Sequence, residues 1–317
     1  MTTKRKKKQH YVFKAYLKPW TEKRKIWCLR SGEVFPSSLE RVACERFFYR
    51  SCPLTEEEQK FIDKVMIEEA PEPLKGVLQK FMGLYCFGQR IKENSKSPAW
   101  NPEHEQLIDV LIETGAEDWL SGVEEMFLPF LEQLRDGKAE FYKDYKSAGA
   151  LLLGLCVQFT RTKQARETSL RVMGQEIRGR NTHHMMSALA FLVAIRLSYN
   201  LFSDRESFKV GIIENESDAP FITTDQPVIN MHGDVKADGV PPDEFELFYP
   251  LSPKRAMVFL KKETSVQLEI GAIAANSYNV TMAQHSHEQI FSNSKEYLES
   301  FAKIIGGTGS GNRLRSW

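Results

Sequence analysis

Val210-Gly211-Ile212-Ile213, Ala219-Pro220-Phe221-Ile222-Thr223, Glu246-Leu247-Phe248-Tyr249 and Ala256-Met257-Val258-Phe259-Leu260 are short β-branched or aromatic runs separated by Asn, Asp, Gly and Pro. Strand formers punctuated by turn residues predict an antiparallel β-meander in the C-terminal half. Upstream of Phe202 the apolar spacing is helical instead. The alternation predicts an α+β chain, mainly helical, with the meander after the helices and a short hairpin near the N-terminus.

That hairpin is read from residues 26–34, I-W-C-L-R-S-G-E-V, with a turn at Ser31-Gly32. Ser37 or Ser38 is placed to cap a helix over 39–50. Thr55 and Glu58 form a T-x-x-E capping box ahead of Phe61, Ile62, Val65 and Met66. Pro71 and Pro73 interrupt this helix, which resumes over 74–91; residues 92–102 read as a loop, followed by helices over 103–114 and 117–134. A largely buried helix is expected within 141–162, another within 169–202, and two more over 273–291 and 294–305. With no internal repeat, the chain is expected to be one integrated domain over 1–317, with a basic tail at 1–8, a helical insert at 55–145 and a glycine-rich flexible tail at 306–317.

Composition bounds the function classes. Apolar residues make up 42%, charged residues 27%, and the net charge is +1, which fits a folded globular protein rather than a disordered one. The longest apolar stretches, 150–157 and 188–195, are about half the length that crosses a bilayer, so no membrane partner is expected. Five cysteines without a C-x-x-C pair indicate neither a disulfide framework nor a zinc ribbon, and the expected location is cytoplasmic. The net charge hides a pattern: the first thirty residues carry eleven Lys or Arg against Glu22 alone, a net +10. Residues 51–144 are acidic and 145–205 basic again. A lysine-rich end attracts phosphates, so nucleic acid is an expected partner of the N-terminal basic segment.

Gln9-His10-Tyr11-Val12, followed by Tyr16-Leu17 and Trp20, resembles the Q-H-Y-V-P-x-x-Y-L-x-x-F opening of a mainly bacterial family, the domain of unknown function numbered 4238. Phe221-Ile222-Thr223-Thr224-Asp225-Gln226-Pro227-Val228 is similar to that family's I-T-S-D-N-P-V segment, and Tyr249-Pro250-Leu251-Ser252-Pro253 to its P-L-S-P strand entry. Lesser matches at Val42-Ala43, Phe48-Tyr49, Arg161-Thr162, Asn276 and 290–292 fall in the same order. Phe13, Thr224 and Gln226 depart from the pattern's proline, serine and asparagine. The resemblance implies an accessory or effector protein of a bacterial defence or mobile-element locus, with a protein partner encoded nearby.

Chemistry is assigned to a few side chains. Asp225, beside a turn fixed by Pro227, is positioned to orient a histidine or bind a hard metal, and as a bland alternative to close an Asx turn. His10 titrates near neutrality and is the candidate general base; its alternative is a buried imidazole bridging backbone groups. Arg161 offers a bidentate clamp for a phosphate or for an internal carboxylate such as Asp225. Gln9, Gln158 and Asn276, with Asn279, are candidate substrate-binding amides. A divalent ion, Mg or Mn, is the cofactor such a site would use, with Asp225 as its ligand; no nucleotide or flavin cofactor is indicated.

Other patterns carry less. Arg178 to His183 has an R-x4-H spacing, but Gly179 stands where a polar residue is usual; His285-Ser286-His287 falls on a helical pattern, where residues two apart diverge, and reads as solvent-facing. The glycine run 306–311 has neither a Lys-Ser/Thr pair nor a following helix, and elbow, Walker, H-E-x-x-H and dinucleotide motifs are missing from the sequence. Two functions stay open: an effector nuclease acting on RNA or DNA through His10, Asp225 and Arg161, and a non-catalytic binding or regulatory subunit whose motif residues are structural. The first requires a shared pocket, the second a buried, hydrogen-bonded motif cluster.

Overall fold

Two positive-φ residues, Ser31 and Gly32, close the N-terminal hairpin. They give the two-residue turn whose twist matches the strands it joins. The hairpin pairs β2 (Ile26–Arg30) with β3 (Glu33–Ser37). Ahead of it lie β1 (Lys8–His10) and the short α1 (Lys14–Leu17). The computed structural model describes residues 8–49, 52–94, 102–174, 176–177, 179–233 and 244–307.

Residues 39–49, the described part of the helix expected over 39–50, do not form it. Ala43 and Phe47 adopt positive φ, and β4 (Cys44–Arg46) pairs antiparallel with β1. Its neighbours are fixed from afar, the Ala43 amide by the Gln289 side chain at 3.1 Å and the Tyr49 amide by Gln9 at 2.6 Å. Such long-range bonds override a weak local preference.

The helical part follows the capping signals. α2 (Glu56–Ile62) opens on the Thr55–Glu58 box with both limbs formed, and a π-helical turn extends it to Ile67. α3 (Glu72–Tyr85) and α4 (Phe87–Asn94) divide the single helix expected over 74–91. The loop expected at 92–102 overlaps the end of α4, and its residues 95–101 lie outside the described residues. The two helices expected over 103–134 are one, α5 (Pro102–Arg135). Gly115 costs a helix about 1 kcal/mol, less than burial of Leu120, Val123, Phe127, Leu131 and Leu134 supplies. α6 (Tyr145–Thr160) is capped by Asp144, α7 (Lys163–Met173) by Thr162 and α8 (Thr182–Ser203) by Asn181. A small hairpin, β5 (Glu176–Ile177) and β6 (Arg180–Asn181), precedes α8. α8 is long and apolar enough to cross a membrane by length and composition, and 56% of its most apolar window is buried inside the fold.

After α8 the chain builds two sheets where one meander was expected. β7 (Phe208–Asn215), β11 (Arg255–Lys261), β10 (Glu246–Ser252) and β9 (Ile229–Asn230) pair antiparallel in that spatial order, with β12 (Glu269–Ile270) parallel on the free side of β7. The run at 219–224 leaves this sheet. Its β8 (Thr223–Thr224) pairs instead with β13 (Ile290–Ser292), which continues into β2 and β3. The helix expected over 273–291 therefore stops at Gln284 as α9 (Ala272–Gln284), leaving a loop and β13 in its place. α10 (Lys295–Gly307) takes in Gly306 and Gly307, assigned above to the tail; residues 308–317 and 1–7 lie outside the described residues. One large apolar core joins the N-terminal segment, the helices and one face of the five-stranded sheet. A second fills the space between the two sheets, α9 and α10.

Candidate functional site

The T-T-D-Q-P-V turn between β8 and β9 is the point where the two sheets part. Thr224 closes it locally, its hydroxyl donating to the Gln226 carbonyl at 2.8 Å and accepting the Gln226 amide at 3.0 Å. Asp225 is 1% exposed. Its Oδ1 accepts the His287 amide at 2.9 Å, and its Oδ2 accepts the Glu288 and Gln289 amides at 2.7 and 3.0 Å. Burial pushes its pKa up to about 7, against the pull of those three amides. Gln226 turns the other way, donating to the Phe159 and Val228 carbonyls at 3.2 and 3.1 Å and accepting from the Thr162 hydroxyl.

The N-terminal motif packs on the far side of the same loop. The Tyr11 hydroxyl accepts from Gln289 Nε2 at 3.0 Å, while Gln289 Oε1 takes the Ala43 amide. Tyr16 shares a 2.6 Å hydrogen bond with Thr223 and stacks on Tyr249 at 4.8 Å, and Trp20 Nε1 donates to the Phe221 carbonyl at 2.8 Å. The two motifs thus read as one contact, aromatic residues of the first against strand residues of the second. Gln9 is buried, accepting from the Tyr49 amide and donating to Glu117 at 3.1 Å. His10 is half-buried with Nε2 3.0 Å from the Leu39 carbonyl, and burial lowers its pKa.

Arg161 ends α6 with its side chain buried. Nε donates to the Tyr49 hydroxyl at 3.0 Å, Nη1 to Glu124 at 2.5 Å and Nη2 to the His10 carbonyl. Arg161 and His10 therefore meet through the backbone of His10. Among the described residues no hydrogen bond joins Asp225 to the His10 imidazole or to the Arg161 guanidinium. Each of these polar tips ends on a backbone group or a paired side chain.

The remaining candidates are dispersed. Gln158 is 1% exposed on α6, and neither of its amide atoms has a partner among the described residues. Asn276 accepts from the Tyr297 hydroxyl at 2.7 Å, tying α9 to α10, and Asn279 donates to that hydroxyl at 2.6 Å while holding the Ile222 amide and the Pro220 carbonyl at 3.0 and 2.9 Å, which ties α9 to the segment before β8 as well. His285 and His287 do not face solvent as expected. His285 Nδ1 and Nε2 lie 3.0 and 3.2 Å from the Thr281 and Gly233 carbonyls. His287 Nδ1 lies 3.0 Å from Gln164, and its Nε2 lies 3.2 Å from Glu167. No group of three or more His, Cys, Asp or Glu is arranged to hold a metal among the described residues.

Residues not assigned chemistry from sequence complete the network: Gln289, Glu124, Glu117 and the hydroxyl of Tyr49. The family match at Phe48-Tyr49 and the E-Q-I-F-S order around Gln289, next to the match at 290–292, gave a signal for two of them. The family model described as "Protein of unknown function (DUF4238)" matches residues 8–296. The chain belongs to that family. No curated protein and no solved structure matches it.

Proposed function

We propose that this member of the DUF4238 family is a non-catalytic binding or regulatory protein, in which the two family motifs lock the N-terminal segment onto the C-terminal sheets and the charged faces engage a protein partner. The observation that carries the reading is the state of Asp225: inaccessible, with both oxygens committed to three backbone amides. A carboxylate that works on a substrate needs reach to it. Arg161, with all three nitrogens engaged, supports the same reading.

The alternative is the effector nuclease. His10 supports it, because its imidazole is half-buried, has its pKa lowered by burial, and follows a strongly basic segment. The two separate in one experiment: full-length protein with labelled RNA, single-stranded DNA and duplex DNA, in Mg²⁺ or Mn²⁺, beside His10→Ala and Asp225→Ala. The binding reading expects no cleavage by wild type and a large loss of stability in Asp225→Ala. Metal-dependent cleavage lost in a folded His10→Ala variant would overturn it.

A further inference from the structure

A cleft of about 800 Å³ opens between α7, α8 and the β9 edge of the five-stranded sheet. Its walls are mostly apolar, with Phe61 and Val65 from the α2 region, Leu189, Val193 and Leu197 from α8, and Phe245 ahead of β10. Val65 and Val193 are each 44% exposed, and apolar surface gathered in a concavity rather than scattered marks a binding site. The volume lies within the range of pockets that enclose a whole small ligand, roughly 300–1,000 Å³.

Among the described residues the charged lining has one sign: Arg166 and Arg171 of α7 reach it, and no described Asp, Glu or Lys does. Arg166 is anchored by a 3.0 Å bond from Nη1 to the Phe48 carbonyl, with its guanidinium over the Phe48 ring. A guanidinium carries five donors, so this anchor fixes the group without exhausting it. Arginines on a mostly apolar trough, with polar groups such as Gln164, Ser169 and Asn230 beside them, select against cations and in favour of an anion with an apolar body.

We propose that the cleft binds an amphiphilic small molecule, an elongated apolar body ending in a carboxylate or phosphate, with the body between α8 and the sheet edge and the anion on the α7 arginines. The assignment goes beyond the partner-binding reading above and stands whether or not the Asp225 cluster is catalytic.

The test titrates full-length protein with cis-parinaric acid, an 18-carbon fluorescent carboxylate, and with its methyl ester, then displaces the acid with hexadecanoate or hexadecyl phosphate. Three variants accompany wild type, each checked by circular dichroism. Val193→Trp fills the trough from a half-exposed position that tolerates bulk; Arg166→Gln and Arg171→Gln remove the positive end one arginine at a time. Wild type should bind one equivalent saturably, and Val193→Trp should lose binding of acid and ester alike. At least one arginine variant should weaken the acid roughly tenfold, the worth of one charge-assisted hydrogen bond, while leaving the ester within about twofold. Displacement by only one of the two competitors would identify the anionic end. No saturable binding, undiminished binding in Val193→Trp, or equal loss of acid and ester in both arginine variants would overturn the assignment. A wild-type dimer that Val193→Trp converts to monomer would overturn it too, giving the cleft to a second copy of the chain.

Discussion

Asp225 and Gln289 are joined twice: the Asp225 amide donates to the Gln289 carbonyl at 3.0 Å, and the Asp225 carboxylate accepts the Gln289 amide at 3.0 Å. This closed pair holds the loop after α9 against the β8 turn and delivers β13 to the centre of the four-stranded sheet. Asp225→Asn keeps size but replaces one oxygen with a donor. Oδ2 takes two amides and Oδ1 takes one, so either orientation of the amide sets a donor against a donor. The expected loss is about 2–4 kcal/mol of unfolding free energy, from one or two stranded buried groups. Urea unfolding followed by tryptophan fluorescence measures it, and a loss below about 0.5 kcal/mol would show that the carboxylate is not a pin.

The same group sets a pH dependence. Its pKa is about 7 in the folded protein against an ordinary 3.8, so the folded chain holds this proton more tightly than the unfolded one. Its contribution to stability is then full below about pH 4 and is lost as pH rises through about 7. Between those limits wild type should lose more stability than Asp225→Asn, which has no proton to release. Parallel urea titrations from pH 4 to 8 check the difference in slope. A wild type that instead gains on the variant across this window would mean that the three amides, not burial, govern the carboxylate.

Arg161 tests the other arm of the network. Arg161→Met preserves length and removes three donors, leaving Glu124, the Tyr49 hydroxyl and the His10 carbonyl without their guanidinium. Removing one partner of a buried ion pair costs about 3–5 kcal/mol. Arg161→Lys keeps the charge but cannot span all three acceptors, and should recover less than half of that. Thermal unfolding of the three proteins gives the order wild type, Lys, Met; a Met variant as stable as wild type would remove Arg161 from the structural frame.

What was legible in the sequence was local. The Thr55–Glu58 box, the Ser31-Gly32 turn and the strands around Ile212, Phe248 and Val258 depend on neighbours within a few residues, and each stands where its pattern put it. The motifs around His10 and Asp225 were visible as segments, but their chemistry depends on partners 29 to 278 residues away in sequence. Gln289 is an unremarked amide in the chain and the hub of the cluster in space. The misassignments share that cause: residues 39–50 and 285–291 carry helical spacing, yet their amides are claimed by Gln9, Gln289 and Asp225. Division of the expected meander into two sheets is likewise set by β13, about 65 residues beyond β8.

Packing between α5 and α6 gives the most direct test of the helical half. Gly154 faces Phe127 so closely that an added Cβ would stand inside the ring's contact distance, and both residues lie in the large core, Phe127 at 1% exposure. Close helix contact here depends on the missing side chain, since neither α5 nor α6 can move without disturbing Arg135 or Arg161 at their ends. Gly154→Ala gains helix propensity of about 1 kcal/mol but should still destabilise by about 1–3 kcal/mol through overpacking. Phe127→Leu alone should cost a similar amount by leaving a void. Combined, the smaller side chain makes room for the methyl group, so the double variant should be more stable than the sum of the singles by at least about 1 kcal/mol. A double-variant cycle read by urea unfolding measures that coupling, and strict additivity would mean that the two helices are not held at this contact.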